Sequence, residues 1–309
     1  MLRKKALRKI FITTLSAFIL LVVYSIPNMT KNDNAIRTNL EVEYITGIGT
    51  NNIYLLDKND LLVKTNILLD KKDKTDQIKL LLNNLIDDNN SKFPNGLSAT
   101  IPKNTKLIDV VYDEEYVTLN FSKKLLSVKS ELKDRMIESI VYSVMDLGDV
   151  KGVIITVEDE MIKEYAKVLD RNIGINKKYD IKSRDKINKV VIYYLEEIED
   201  NNYYVPVTKY LNDDRDKIKI IIDELTTSYI YEPNLMSFLN SNTKLLDHEE
   251  KENVMSLNFN NALFDGNDKI VEEVKYTLAY SIFDNYDVEQ VLLQVDGKNI
   301  ETVSKKDLP

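Results

Sequence analysis

The chain has 309 residues with no cysteine, one histidine, 8 glycines, 6 prolines and a formal net charge of −8. The lack of cysteine excludes disulfides, thiol catalysis, cysteine-bound zinc and bacterial lipidation at a cysteine. An acidic chain repels phosphate backbones, so we predict no nucleic-acid partner. With 43% hydrophobic residues, the chain is long enough to form two packed cores.

The N-terminus carries a charge pattern typical of export. Residues 1–9 hold five basic side chains and no acid, and residues 10–26 are uncharged and mostly apolar. As a helix this run spans about 26 Å, which is slightly less than the thickness of the hydrocarbon layer of a bilayer. Lys9 and Tyr24 at its ends can reach the lipid headgroups and so make up the difference. We expect residues 1–27 to be an uncleaved signal anchor that crosses the membrane once. A cleaved signal peptide is the alternative.

The rest of the chain repeats itself with a nearly constant separation. Short motifs recur 138 or 139 residues apart, which indicates two tandem domains rather than the short units of a solenoid. The matching pairs are Ile53–Tyr54 and Ile192–Tyr193, NTKLID and NTKLLD (Asn104–Asp109 and Asn242–Asp247), LNF twice (Leu119–Phe121 and Leu257–Phe259), and VYSVMD and AYSIFD (Val141–Asp146 and Ala279–Asp284).

These matches set the expected domain boundaries. Residues 28–49 are polar and without a clear period, so we expect a tether there. The linker between the domains is charged and lacks proline, and we expect it to begin with a short helix near residues 161–169 and to fix the domain orientation. The predicted segments are the tether at 28–49, the first domain at 50–160, the linker at 161–187, the second domain at 188–301 and a tail at 302–309.

Hydrophobic periodicity predicts the order ββαββαβ in each repeat. Ile78, Leu81, Leu82 and Leu85 recur at helical spacing, with Thr75 or Asp76 as the expected N-cap, whereas alternation predicts the strands. The fold class is therefore α+β, with a small sheet and two helices packed on one face in each domain. In the first repeat we predict strands at 52–57 and 61–69, a helix at 76–86, a hairpin at 104–121, a helix at 131–146 and a strand at 153–157.

Isolated polar residues give weak signals for chemistry. His248 is predicted at the tip of the second hairpin as a solvated turn residue. Its counterpart in the first repeat is Val110, and no serine motif accompanies it, so neither a catalytic triad nor a zinc site is indicated. Tyr203–Tyr204 fits a glycan or peptide surface, but half-buried strand tyrosines are the commoner explanation.

Acidic clusters are the other candidates. Asp113–Glu115 and Glu249–Glu250 could pair as general acid and base, but we expect both at exposed hairpin tips, which favours solvation. Asp265–Asp268 is rich in oxygen ligands but lacks the spacing of an EF-hand loop, so we expect it to cap the following helix. The sequence therefore assigns no catalytic, cofactor-binding or metal-binding residue, no cofactor and no enzymatic activity.

The repeats resemble the GerM family of spore-forming bacteria. Ile101–Pro102, Thr105 and Val117–Ser122 match the family pattern in the first copy, and Met255–Asn260 and Val291–Gly297 match it in the second. The chain departs from the family in lacking a lipobox cysteine. The first copy also lacks the valine–aspartate–glycine ending that follows the last strand in the family.

The resemblance implies a role in endospore formation and germination. It implies domains outside the mother-cell cytoplasm that help envelope or sporulation-complex proteins assemble between mother cell and forespore. Together with the N-terminal pattern, which predicts an anchor at residues 10–26, we expect a single-pass protein of the cell membrane with extracytoplasmic domains. The alternative is a protein that binds or modifies peptidoglycan during cortex maturation. A free sheet edge in each repeat would support the first function, and a deep cleft with two facing carboxylates would support the second.

Overall fold

The computed structural model describes residues 48–70, 73–88, 93–227 and 234–309. Both tandem domains lie within the compact unit Gly47–Pro309. Across these four ranges, no helix is both long and apolar enough to cross a membrane. The predicted anchor at residues 10–26 and most of the predicted tether lie outside the described residues.

The first repeat contains the predicted elements and one additional strand. A short strand, β6, follows the predicted closing strand and gives the order ββαββαββ. The elements are β1 (Ile48–Leu56), β2 (Leu62–Asp70), α1 (Lys74–Leu85), β3 (Leu107–Tyr112), β4 (Tyr116–Phe121), α2 (Lys133–Met145), β5 (Gly152–Val157) and β6 (Glu160–Met161), and the linker adds β7 (Lys178–Asp180).

The second repeat has the same order, which confirms that equivalent motifs form equivalent elements. Its last strand, β13, is longer than β6 and extends past the predicted domain end at residue 301. The elements are β8 (Asn188–Ile198), β9 (Asn201–Leu211), α3 (Lys217–Thr226), β10 (Leu245–Lys251), β11 (Val254–Phe259), α4 (Glu272–Phe283), β12 (Gln290–Val295) and β13 (Lys298–Ser304).

The arrangement of sheets differs from the prediction of one sheet per domain. In each repeat the second hairpin and the two closing strands form a four-stranded sheet, in the orders β3-β4-β5-β6 and β10-β11-β12-β13. The first hairpins of the two repeats instead share a five-stranded sheet, in which β2 pairs antiparallel with β9 at Lys64 and Tyr204. Alternation in a sequence marks the two faces of a strand but not its partner, so the shared sheet was not predicted.

The helices follow the predicted periodicity, but their caps differ. Asp73, rather than Thr75 or Asp76, caps α1, and its Oδ1 accepts the N–H of Asp76 at 3.0 Å. Asp216 caps α3 in the same way, accepting the N–H of Ile218 at 3.0 Å. The buried face of α1 is the predicted one: Ile78, Leu81, Leu82 and Leu85.

The linker begins with a strand, and of the short helix predicted near residues 161–169 only three residues form a 3-10 helix. Glu158 and Asp159 adopt positive φ values of 52° and 68°, which is the turn geometry of a tight hairpin. This turn directs β6 back along β5, and a 3-10 helix at Lys163–Tyr165 follows. The backbone groups of Glu160–Met161 are thus used in strand pairing, which prevents a helix from starting there.

The apolar core extends through both repeats without interruption. It includes Val63 on β2 and Val205 on β9, both fully buried in the shared sheet, together with the inner faces of all four helices. Because the shared sheet joins the two repeats through this core, residues at the junction determine how the domains are held together.

Candidate functional site: the junction between the repeats

Two equivalent tyrosines attach the shared sheet to a helix of each repeat. Tyr54 on β1 donates its backbone N–H to Ser143 Oγ on α2 at 3.1 Å. Tyr193 on β8 donates its backbone N–H to Ser281 Oγ on α4 at 2.9 Å. The two contacts involve the motifs that recur in the sequence, so the duplication preserved a strand-to-helix hydrogen bond as well as a pattern of apolar residues.

A single arginine from the linker joins the two copies of this arrangement. The hydroxyl of Tyr54 donates to Asp146 Oδ2 at 3.0 Å, and that of Tyr193 donates to Asp284 Oδ2 at 2.8 Å. Arg171 pairs with both carboxylates, through Nη2 to Asp146 and through Nη1 to Asp284 Oδ1 at 3.1 Å. One guanidinium therefore compensates one carboxylate from each repeat.

The linker also completes the shared sheet. Asn176 is fully buried, and its Nδ2 donates to the carbonyl oxygens of Leu62 and Pro206, both at 2.8 Å. Its Oδ1 accepts the N–H of Leu62 at 2.8 Å. Pro206 has no N–H to donate to a neighbouring strand. The side-chain amide of Asn176 instead pairs with the backbone of both strands, at Leu62 on β2 and at Pro206 on β9, so these buried groups all have partners.

A lysine is buried where β2 meets β9. Lys64 is 8% exposed, and its Nζ lies 3.6 Å from the ring centroid of Tyr280 on α4. Burial lowers the pKa of Lys64 to about 7, although the carboxylate of Asp284 favours the charged form. Tyr280 also stacks on Tyr193 and contacts Tyr204, with centroids 4.9 and 5.0 Å apart. The three tyrosines pack α4 against β8 and β9, and Lys64 brings β2 of the first repeat into contact with them.

Two buried carboxylates, one from each repeat, meet near the pairing of β2 with β9. Asp57, in the turn after β1, is 5% exposed, and Glu196 on β8 is 2% exposed. The Nδ2 of Asn59 donates to Asp57 Oδ2 at 2.8 Å and to Glu196 Oε1 at 3.4 Å. A cavity of about 190 Å³ adjoins the pair. This volume is below the range of about 300–1,000 Å³ typical of ligand pockets, so the cavity does not fit a glycan.

A larger cavity of about 680 Å³ lies in the first repeat alone, beside β6 and the start of α2. Three lysines and three glutamates line it above an apolar floor. In the second repeat, the positions equivalent to the lysines hold an asparagine, a valine and a glutamate. The charged lining consists of Lys123, Lys133, Lys163, Glu158, Glu160 and Glu164.

Each four-stranded sheet has an outer strand, β3 or β10, with no further strand beside it among the described residues. Both outer strands contain a bulge at the same position, which leaves Ile108 and Leu246 unpaired in the ladder. Each of these side chains is 53% exposed. An aspartate, Asp109 or Asp247, follows directly. Both repeats thus present an aliphatic residue beside an acid at a sheet edge.

His248 is not the solvated tip residue that the sequence predicted. It lies in β10 opposite Leu257, and the turn of this hairpin is at Glu252–Asn253. Its Nε2 is 3.1 Å from Oδ2 of Asp216, the residue that caps α3. Its counterpart Val110 likewise lies within β3, and β10, with seven residues against six, continues for three residues beyond His248. The histidine therefore links β10 to the start of α3.

The acidic candidates do not form a catalytic constellation. Asp113–Glu115 forms the first hairpin tip as predicted, and Asp113 Oδ1 accepts the N–H of Tyr116 at 2.8 Å. Glu249–Glu250 lies within β10 rather than at a tip, because the strand continues to Lys251. Over the described ranges, no three histidine, aspartate or glutamate side chains are grouped to hold a metal ion.

The predicted helix cap at residues 265–268 is wrong. Asp265 Oδ1 accepts the N–H groups of Asn267 and Lys269, at 2.8 and 3.0 Å, and so closes a turn instead. The helix begins later, at Glu272, because the turn continues through Lys269. Tyr203–Tyr204 lies half-buried in β9, which confirms the strand interpretation.

The sequence missed Arg171 and Asn176, which lie in the linker and have no copy in a second repeat. The recurrence of Tyr54 and Tyr193, and of Asp146 and Asp284, was visible in the sequence. A signal for the junction was therefore present: polar residues retained at equivalent positions of both repeats require partners. Nothing in the sequence indicated that one arginine would serve both carboxylates.

The fold and the junction define a class of proteins built from two tandem α+β domains joined by a shared sheet. The family model for Germane, described as sporulation and spore germination, matches residues 52–163 and 191–301. The chain belongs to this family, which confirms the resemblance found in the sequence.

Relatives agree with this assignment. The chain is 27% identical over 271 residues to the spore germination protein GerM of Bacillus subtilis (strain 168), covering 82% of this chain and 73% of that protein. A solved structure of the tandem GerMN domains of the sporulation protein GerM from Bacillus subtilis matches with a TM-score of 0.76 and 26% identity. The match covers 85% of this chain and 97% of that chain. These matches support a role in sporulation and spore germination.

Proposed function

We propose that this protein is an exported, membrane-anchored scaffold that helps a protein complex assemble in the envelope between mother cell and forespore. Membership of a sporulation and germination family supports the setting. The five bases before the apolar run at residues 10–26 support an anchor with the domains outside the cytoplasm.

The free outer strand in each repeat is the observation that carries this proposal. Ile108 on β3 and Leu246 on β10 are exposed aliphatic side chains at equivalent bulges, each next to an aspartate. A bulge interrupts the ladder and limits pairing along the whole strand, so side chains at the edge supply most of the contact. The proposed occupant is a basic segment of another envelope protein that carries an apolar residue.

Photocrosslinking in sporulating cells tests this proposal. A photoreactive amino acid at Ile108 or Leu246 should capture a defined envelope protein, because both side chains would lie in the interface. The matched control is Leu68 on β2, which is also exposed but lies outside both outer strands. Equal capture from all three positions, or none from the two edge positions, would contradict edge docking.

A peptidoglycan-binding function is the second candidate, and the cavity of about 680 Å³ in the first repeat favours it. Its size suits a small ligand, and its lysines and glutamates suit a ligand with both charges, such as a stem peptide. Sedimentation with purified peptidoglycan tests this function, with Lys133→Ala as the variant that should weaken binding. Absence of the chain from the pellet would leave the scaffold as the better account.

A further inference from the structure

Glu196 has an oxygen without a hydrogen-bond partner at the contact between the repeats. The residue is 2% exposed, and no group within the described residues donates to its buried Oε2. A buried carboxylate oxygen without a donor loses its hydration and gains nothing in exchange, so such an atom needs a partner. Its nearest acidic neighbour is Asp57, which contacts the side chain of Glu196.

The neighbouring carboxylate is already well supplied with donors. Asp57 Oδ1 accepts the backbone N–H groups of Asn59 and Leu61, at 2.8 and 2.7 Å, and its Oδ2 accepts the Asn59 side chain. Hydrogen bonds from N–H groups favour the ionised form of a carboxyl group. Asp57 already accepts three hydrogen bonds from N–H groups, whereas Oε2 of Glu196 accepts none.

Two ionised carboxylates in contact would repel each other strongly at such a buried site. A single proton on Glu196 Oε2 removes the repulsion and gives this oxygen a hydrogen bond to donate to Asp57. Burial, together with the charge of Asp57 and the hydrogen bond to it, raises the pKa of Glu196 to about 7. The proton is therefore held up to neutral pH, where an ordinary glutamate has lost it.

The other charged groups at this site do not replace the proton. Lys58 comes from the turn of the first repeat, and Glu197 and Glu199 come from the end of β8 and the turn after it. Lys58 favours the ionised form of Glu196, but its effect is smaller than those of burial and Asp57.

We propose that Asp57 and Glu196 hold one proton between them and that this proton joins the two repeats. Asp57 belongs to the first repeat and Glu196 to the second, so the hydrogen bond crosses the junction. When the proton leaves to solvent at alkaline pH, the second negative charge separates the β1–β2 turn from β8. This hydrogen bond across the junction is thus present in a mildly acidic medium and lost in an alkaline one.

Hydrogen exchange of the Leu61 amide, which donates to Asp57, tests this proposal in the intact chain. Between pH 6 and 8 the protection factor of wild type should fall about tenfold relative to that of Glu196→Gln. Glutamine donates to Asp57 at every pH, so the variant should not show this fall. Glu197→Gln, an exposed neighbour on the same strand, should behave like wild type. Lys64 is present in wild type and in both variants, so its contribution to the pH dependence cancels when their protection factors are compared.

Identical pH profiles for wild type and Glu196→Gln would overturn the proposal. NMR of the side-chain carboxyl carbons in glutamate-labelled protein gives an independent readout. The titration midpoint of Glu196 is measured in wild type itself, and the variant serves only to assign the signal. The signal absent from Glu196→Gln should titrate near pH 7 in wild type. A midpoint at the ordinary glutamate value would show that no proton is shared, and would also overturn the proposal.

Discussion

Arg171 lies between carboxylates of the two repeats, and its loss should weaken the whole junction. Arg171→Ala removes the guanidinium that pairs with both Asp146 and Asp284. Because the guanidinium is partly exposed, we expect a loss of about 2 kcal/mol in the free energy of unfolding, between the values for exposed and buried pairs. Urea denaturation measures this change.

The control for this prediction is Arg215→Ala. Arg215 pairs with Asp213 and Asp223 on the surface, where an ion pair contributes at most about 1 kcal/mol. Equal losses for the two variants would mean that Arg171 has no special role between the repeats.

Asn176 should be hard to replace, because its amide satisfies three backbone groups at once. Asn176→Ala leaves the N–H and the carbonyl of Leu62 and the carbonyl of Pro206 without partners inside the protein. We expect a loss of about 3 kcal/mol in the free energy of unfolding. Asn83→Ala, at an exposed position of α1, should cost less than about 0.5 kcal/mol in the same measurement. A small effect of Asn176→Ala would show that water takes over its role.

The residues of the junction differ in how far a sequence reveals them. Tyr54 and Tyr193 could be found because the duplication retained both. Arg171 and Asn176 occur once, in a linker without periodicity, so no repeat and no pattern pointed to them. The pair of Asp57 and Glu196 was hidden for another reason: the two residues are far apart in the chain and approach each other only through the pairing of β2 with β9.

At the scale of elements, the same contact between a strand and a helix occurs twice. Ser143→Ala removes the acceptor for the Tyr54 N–H, and Ser281→Ala removes that for Tyr193. Each variant should lose about 1 to 2 kcal/mol in the free energy of unfolding, since each leaves one buried N–H without a partner. Ser127→Ala, on an exposed 3-10 helix, is the matched control. A loss confined to one repeat would contradict the equivalence of the two contacts.

The pairing of β2 with β9 has a pH dependence that Lys64 controls. The pKa of Lys64 is about 7 in the folded protein, against an ordinary value of 10.5. Between these values the unfolded chain binds more protons, so the stability due to this group rises as the pH increases. Lys64→Met should therefore have a higher Tm than wild type at pH 6, and the difference should shrink towards pH 10.

Thermal unfolding across this pH range measures the effect. Lys79→Met, an exposed lysine on α1, should show no such convergence with wild type. A constant difference between Lys64→Met and wild type would indicate that Lys64 contributes by packing on Tyr280 rather than through its charge.

Periodicity predicted the order of elements well, because alternation and helical spacing depend only on which face of each element is buried. It failed on strand partners, since β1 and β8 have the same pattern whether their hairpins stay within a repeat or join across the junction. The predicted helix in the linker failed because the turn at Glu158–Asp159 commits the next residues to strand pairing.

At the scale of the whole molecule, the two repeats form one body in which β3 and β10 are equivalent outer strands. The shared sheet, the linker and the continuous core hold the domains together, while β3 and β10 remain available at the outer edges. Such an arrangement suits a scaffold, because it presents two similar contact surfaces in a fixed relation to each other.

The yield of heat-resistant spores from a strain that lacks this gene tests the proposed function most directly. We predict a lower yield, restored by the intact chain but not by a chain that lacks residues 1–26, because the domains must be exported and anchored to act. A normal yield of heat-resistant, germinating spores from the deletion strain would contradict a role in sporulation. Full rescue by the chain without residues 1–26 would contradict the proposed export and anchoring.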